Sequence, residues 1–391
     1  MKELFSSKPI LFLLLFCLLI ASWLCQEKPV IYPSERYFDT AEPFSEDIRL
    51  AILYPSVGSI RAIIELRDQG MITIPNLTVI GVYHQMEGTD YEKSKDFVRE
   101  KNLSWFHFHQ VSGELERNSL FEENTSSDDF EKIFKKSDGI IFFGGADIPP
   151  YIYNQKTSLL TQIHTPYRHF LELSFIFHLL GGHQNENHRP LLESKLEFPV
   201  LGICLGAQSL NIGTGGTLIQ DISSEKYRVQ YFEDVMALGR ENWHVNPYAR
   251  IYPEEKLFPY NMHPIKFQET SKFWSVLGFS QEDTPYILSA HHQMVDRLGK
   301  EIKIAATSLD GKVVEAIEHE KYPHVLGVQF HPEFPILWDS SLELKFTPQD
   351  KEKTTLPAFL SANPPSFDFH KKLWAWFSQR LKDNHAKGDQ P

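Results

Sequence analysis

Short apolar runs closed by a turn residue alternate along this chain with stretches whose apolar positions fall three and four apart. Residues 48–54 form one such run, ended by Pro55, and its continuity predicts a buried strand. From 56 to 70, Ile60, Ile63, Ile64 and Leu66 sit at helical spacing, with Ser56 or Ser59 placed to cap the start and Gly70 to stop it. Residues 77–83 predict a second strand. Strand, helix and strand, with strands that are apolar almost throughout, is a βαβ unit and implies a parallel sheet. The alternation goes on with a strand over 103–108, a short helix over 128–136 and a buried strand over 139–143 that runs into Gly144-Gly145. An amphipathic helix follows over 166–180, then a polar insertion over 181–197. The histidines of that insertion have no metal-ligand spacing, so it reads as a solvated loop. Residues 198–203 are the next buried strand, and a helix starts at Leu205.

The pattern changes after residue 285. Short strands over 286–289, 302–306, 313–317 and 325–330, with a hairpin turn at Asp310-Gly311, predict an antiparallel extension. A polar loop over 338–366 and a helix over 369–381 close the chain. The fold class is α/β: a mostly parallel sheet flanked by helices, with an antiparallel extension in the C-terminal half. Residues 47–337 read as one domain, and 338–391 as a loop and helix packed on it.

Residues 10–24 carry no charge and follow Lys2 and Lys8. The run is shorter than the roughly 20 residues that a membrane-spanning helix needs, and suits a signal peptide. Residues 1–25 are therefore set apart as a targeting segment, with Cys25 a candidate for lipidation, and 26–46 read as a linker. The expectation is an exported protein, in the periplasm or envelope of a bacterium or secreted or lysosomal in a eukaryote. It would touch a membrane only through this segment. Of the 391 residues, 39 are Lys or Arg and 51 are Asp or Glu, a net charge of −12. That balance argues against nucleic-acid binding. Three cysteines exclude a disulfide scaffold. Two of them, Cys17 and Cys25, lie in the targeting segment, which leaves Cys204 alone in the mature chain.

Cys204 sits in Gly202-Ile-Cys-Leu-Gly206, at a predicted strand-to-helix junction. This is the pattern of a nucleophile elbow, in which a sharp turn lifts the side chain clear of the sheet and small neighbours prevent collision. The helix that follows turns unpaired N–H groups toward the sulfur and favours a thiolate. Such a nucleophile needs a proton acceptor and a group to orient it. His331 and Glu333 flank Pro332 after a predicted strand, and positions i and i+2 of an extended segment face the same way. Gly144-Gly145 ends a buried strand where bare backbone N–H groups can approach a substrate. The N–H groups of Gly145 and Leu205 are the oxyanion candidates.

These stretches, in this order, resemble the class I glutamine amidotransferase-like superfamily. The likeness is to its peptidase C26 branch of gamma-glutamyl and gamma-glutamyl-gamma-aminobutyrate hydrolases. It rests on residues 138–149, Arg168-x-x-x-Glu172, 199–222, 289–299, 310–315 and 327–333. The resemblance implies a flavodoxin-like sheet and attack by Cys204 on a γ-glutamyl amide, giving a thioester that water releases. His331 would shuttle the proton and Glu333 would orient it. Gln208 matches a residue that helps bind the glutamyl portion. Gly144, Asp147, His291, His292 and Gln293 match positions near the site. The partner implied is a small γ-glutamyl substrate, with no cofactor and no metal. Leu205 stands where many relatives of the aminobutyrate type carry Arg, Phe143 where Pro is usual, and His169 where Asp is common.

Two other functions share these residues. One is release of ammonia from glutamine for a separate synthase. The other is a non-catalytic envelope protein that keeps the fold for binding. Residues 1–140 hold no phosphate-binding loop, and the regions outside the matched motifs are short, which favours hydrolysis. Mass spectrometry of the exported protein is expected to find a chain without residues 1–25; an intact Met1 in a soluble cytosolic fraction contradicts export.

Overall fold

The computed structural model describes residues 35–42 and 46–388. The targeting segment over 1–25, with Cys25, lies outside the described residues. Twelve strands are present among those described: β1 (Ile48–Leu53), β2 (Leu77–His84), β3 (Phe106–Val111), β4 (Gly139–Phe142), β5 (Val200–Ile203), β6 (Leu218–Ile219), β7 (Asn261–Phe267), β8 (Tyr286–Ser289), β9 (Met294–Val295), β10 (Ile302–Ser308), β11 (Val314–His319) and β12 (Val325–Val328). Ten of them form one sheet in the order β3-β2-β1-β4-β5-β12-β11-β10-β7-β8, while β6 and β9 pair apart from it. The stretch from β3 through β12 is parallel, and the stretch from β12 to β8 antiparallel. The expected α/β class and its antiparallel extension are both present.

Every residue of β1, β2, β4, β5 and β12 is buried. A strand covered on both faces has no polar side to alternate with, which is why these strands read as continuous apolar runs. The main covering helices are α1 (Val57–Asp68), α2 (Glu92–Glu100), α3 (Ser127–Lys136), α4 (Pro166–Leu180), α5 (Leu205–Gly213) and α6 (Ser366–Gly388). Helix α1 is capped by Ser56, whose hydroxyl accepts from the Ser59 N–H, and Gly70 beyond its end has φ +68°. Helix α4 has the bounds that its periodicity predicts. No described helix is long and apolar enough to cross a membrane.

Several expectations are corrected. The strand placed at 103–108 starts at Phe106, because Asn102 turns with φ 52° and the Leu103 N–H closes back on the Val98 carbonyl (3.1 Å), still finishing α2. The linker over 26–46 is not free at its described end. Tyr37–Thr40 is helical, Phe38 is fully buried, and Arg36 pairs with Asp129 at 3.0 Å. The insertion over 181–197 is anchored, with Leu192 fully buried and the ring of His188 4.5 Å from that of Phe177. Within the loop expected over 338–366, Leu344 bridges Thr354, and Leu356–Ala362 forms a helix capped by Thr355.

Helix α6 is longer than the expected 369–381 and lies across the start of β4. A side chain at Gly139 would overlap Leu381 of this helix, and Asn384 donates to the Asp138 carbonyl at 3.1 Å. Trp374 is fully buried, and its Nε1–H donates to the Pro332 carbonyl at 3.0 Å. Trp374→Ala is therefore expected to cost about 3–5 kcal/mol of stability, as large-to-small core changes of an aromatic do. Urea unfolding measures it, and a loss under about 1 kcal/mol would contradict the packing described.

Candidate active site

The candidate residues leave the carboxyl ends of three adjacent parallel strands, β4, β5 and β12. Phe142 pairs with Gly202, and Ile203 with Val328, so the chain exits side by side at Phe143-Gly144, Cys204 and Gln329–His331. Crevices at strand carboxyl ends are where open α/β sheets place their ligands.

Cys204 has φ 53° and ψ −105°, a conformation sparsely populated by any residue with a side chain. The turn is held by the Cys204 N–H donating to the Val328 carbonyl at 2.7 Å. The Cys204 carbonyl accepts from the N–H groups of Ala207 (3.1 Å) and Gln208 (3.2 Å). Both elbow glycines are sterically required. A Cβ at Gly202 would lie 2.6 Å from the Gly206 carbonyl, and one at Gly206 would overlap the Phe142 carbonyl oxygen. Cys204 opens α5, so the N–H groups of Leu205 and Gly206 lack acceptors within the helix and remain beside the sulfur. The residue keeps 7% of its surface exposed.

His331 Nδ1 lies 2.8 Å from Glu333 Oε1, and both residues are buried. The carboxylate fixes the ring's orientation. A Cβ at Gly144 would sit 3.0 Å from His331 Cε1 and 3.4 Å from Cys204 Cβ, so Gly144, the ring and the Cys204 side chain bound one small space. Burial opposes charge on His331, but the Glu333 carboxylate and the Cys204 sulfur outweigh it and push the imidazole up to about 10. Phe334 covers the ring with centroids 4.2 Å apart.

A Cβ at Gly145 would overlap the guanidinium of Arg168 on α4. That buried guanidinium donates to the carbonyls of Phe143 (2.8 Å) and Gly144 (3.0 Å) and to Glu172 Oε1 (2.8 Å), and lies 3.6 Å from the centre of the Tyr54 ring. Arg168 thus fixes the carbonyls of the glycine loop and, with them, the direction of the Gly145 N–H. Its ion pair with Glu172 is legible in the sequence as an i, i+4 pair.

Gln208 is buried and points inward, donating to Gln329 Oε1 (3.2 Å) and the Gln293 carbonyl (3.4 Å). Gln329 in turn directs its amide at Cys204 Sγ (3.7 Å). Gln329 was not among the expected site residues; it lies just past the end of β12, in the bend that leads to His331. Of the other expected binding residues, Gln293 keeps a buried side-chain amide without a hydrogen-bond partner among the described residues. Asp147 and His292 are paired (3.1 Å), with Asp221 on the other ring nitrogen (3.5 Å). Burial disfavours charge on His292, but the two carboxylates raise it to about 9. His291 donates from Nδ1 to the Gln293 carbonyl (2.9 Å) and turns its other nitrogen toward Glu315 (3.5 Å).

A sequence profile of the peptidase C26 family matches residues 78–333. A glutamine amidotransferase-like protein of Lactococcus lactis is 31% identical over 196 residues, 50% of this chain and 66% of that protein. A glutamine amidotransferase-like protein of Rickettsia prowazekii is 29% identical over 56% of this chain and 78% of its own length. The gamma-glutamyl-gamma-aminobutyrate hydrolase of Escherichia coli O157:H7 is 26% identical over 54% of this chain and 68% of its own length.

Iodoacetamide labelling read by peptide mass spectrometry is expected to modify Cys204 at neutral pH. Glu333→Gln removes the charge that holds His331 protonated and is expected to slow labelling about tenfold or more. Equal rates in the two proteins contradict the pairing. Because folding raises His331 above its ordinary value of about 6.5, the stability it contributes is complete below that pH. It is lost as pH rises through about 10. Urea unfolding of His331→Gln is expected to lack this alkaline loss; an unchanged pH profile rules it out.

Proposed function

The chain belongs to the peptidase C26 family, and from that premise we propose that it hydrolyses a γ-glutamyl amide bond through a thioester on Cys204. The observation that carries this reading is the strained Cys204 at the start of α5, beside an imidazole held charged by Glu333. The Cys204 thiolate attacks the amide carbonyl carbon, forming the C–S bond while the carbonyl electrons move to oxygen. The N–H groups of Gly145 and Leu205 receive that oxyanion. Collapse breaks the C–N bond, and His331 gives its proton to the departing amine. Water then attacks the thioester and yields its proton to His331. The C–S bond breaks, freeing the γ-carboxylate and restoring the thiolate. Each of these steps uses groups of this chain, with the imidazole cycling between its charged and neutral forms. Export places the substrate among γ-linked peptides outside the cytoplasm.

A second reading, release of ammonia from glutamine for a separate synthase, draws on the names of the Lactococcus and Rickettsia relatives. Both begin with the same acyl-enzyme, and they differ in what it is made from. Purified protein is expected to hydrolyse members of a γ-glutamyl peptide panel at least about tenfold faster than glutamine. Cys204→Ala is expected to abolish turnover, as loss of a covalent nucleophile does. Preference for glutamine favours the ammonia donor. Equal turnover by wild type and Cys204→Ala defeats the thioester mechanism.

A further inference from the structure

The C-terminal half of the sheet contains a second cluster of histidines that the chemistry above does not use. His244 lies in the loop before the helix Pro247–Ile251, His263 on β7, His291 just after β8, and Glu315 on β11. All four are buried, His263 and Glu315 completely. Glu315 Oε1 lies 3.2 Å from His244 Nδ1 and 3.6 Å from His263 Nε2, and Oε2 lies 3.5 Å from His291 Nε2. One ligand atom from each residue can be chosen so that all lie within 4.8 Å of one another.

The backbone aims these groups on purpose of geometry. In the β10–β11 register, Ala306 pairs with Ala316 and Thr307 with Val314, so Glu315 is the extra residue of a bulge. A bulge leaves its extra residue outside the ladder and redirects its side chain. Strand β10 ends at Ser308, paired with Ile265, so His263 lies beyond its end and can face β11.

The hydrogen atoms are also constrained. His291 Nδ1 lies 2.9 Å from the Gln293 carbonyl, and His263 Nδ1 lies 3.2 Å from the Pro264 carbonyl. A carbonyl oxygen only accepts, so in each neutral ring Nδ1 carries the hydrogen and Nε2 presents a bare lone pair. Both lone pairs face a carboxylate. Neither Nε2, nor either nitrogen of His244, nor either oxygen of Glu315, meets hydrogen-bond geometry with any partner. Lone pairs gathered round a buried carboxylate repel one another, and each unpaired buried polar group costs free energy. Among the described residues, the ion-pair partners of Glu315 are these three imidazoles, with no Lys or Arg. A cation at the centre turns the same arrangement from repulsive to attractive.

We propose that His244, His263, His291 and Glu315 bind a divalent first-row transition cation, with Zn²⁺ the preferred occupant. Three imidazoles and one carboxylate suit zinc and its neighbours, and do not suit Mg²⁺ or Ca²⁺, which take oxygen ligands. A tetrahedral zinc with bonds near 2.1 Å separates its ligand atoms by about 3.4 Å, close to the three spacings to Glu315. The carbonyls on Nδ1 of His263 and His291 are the outer partners that orient metal-bound histidines. Four protein ligands with no open position make the site structural, binding the loop after β8 to β7 and β11. A second His/carboxylate group, Asp39, His109 and Asp129, differs in kind. Arg36 and Lys132 already supply its positive charge, and His109 Nδ1 accepts from the Phe38 N–H. The zinc site does not depend on the proposed γ-glutamyl chemistry, and its test reads metal rather than turnover.

Elemental analysis of the full-length protein, purified without chelator and desalted, is expected to find about one zinc or equivalent ion per chain. Replacement by Co²⁺ is expected to give the d–d absorption of a tetrahedral centre. Cys204→Ser removes the Cys204–His331 pair as an alternative place for zinc and is expected to keep the ion. Glu315→Gln and His291→Ala are expected to lose more than the roughly tenfold in affinity that loss of an outer partner alone removes. Folded wild-type protein that carries no such metal and takes up neither Zn²⁺ nor Co²⁺ overturns the proposal. So does loss of the ion in Cys204→Ser, or its retention by folded Glu315→Gln. If the ligand variants do not fold, the metal content of the wild type decides.

Discussion

The site depends on the close packing of the first turn of α5 on the ends of the strands beneath it. Gly206 rests on the Phe142 carbonyl, Gly202 lies under Gly206, and Gly327 of β12 touches Ala207. With a side chain at any of these positions, the helix could not begin where it does. Because it begins there, Cys204 must turn through a positive φ between β5 and α5. The strain, of order 1–3 kcal/mol, persists because packing on both sides leaves the turn no alternative. The sulfur's position, the free N–H groups beside it and the nearness of β4 and β12 all follow from that contact.

The partners of Cys204 are held from behind by elements distant in the chain. Trp374 on the last helix bonds the carbonyl between His331 and Glu333, and Phe334 covers the imidazole. Arg168 on α4 fastens the carbonyls of the glycine loop while Glu172 balances its charge. A site whose groups sit on strand ends is only as exact as the elements that brace those ends. Here the bracing is a buried hydrogen bond on one side and a buried ion pair on the other.

A row of glutamines joins the site to the rest of the C-terminal half. Gln329 reaches Cys204, Gln208 reaches Gln329 and the Gln293 carbonyl, and that carbonyl also takes the hydrogen of His291. The Gln329 N–H in turn donates to the Glu315 carbonyl at 2.9 Å. The histidine–carboxylate cluster and the thiol are therefore parts of one continuous hydrogen-bonded layer. His292, adjacent in sequence to His291, points into a different group with Asp147 and Asp221. Neighbouring residues of one loop thus serve separate clusters, with a bend at His292 between β8 and β9.

Much of this was legible in the residues alone. Buried parallel strands betray themselves as unbroken apolar runs, because both faces are covered. The elbow is a local event of five residues whose glycines are demanded by contacts within the turn and with the strand beside it. The i, i+2 spacing of His331 and Glu333 was visible too, but β12 ends at Val328 and Pro332-Glu333 lie in a turn, so it is this turn and not strand alternation that brings the carboxylate to the ring. Arg168 and Glu172 could be seen as a pair, but what the guanidinium holds could not. The short helix at Phe38 and the anchoring of the 181–197 insertion depend on partners far along the chain. The grouping of His244, His263, His291 and Glu315 left no spacing to recognise, since sheet order and a bulge bring them together. Local geometry is written in neighbouring residues; contacts between distant residues exist only once the backbone has closed, and there tertiary structure alone decides.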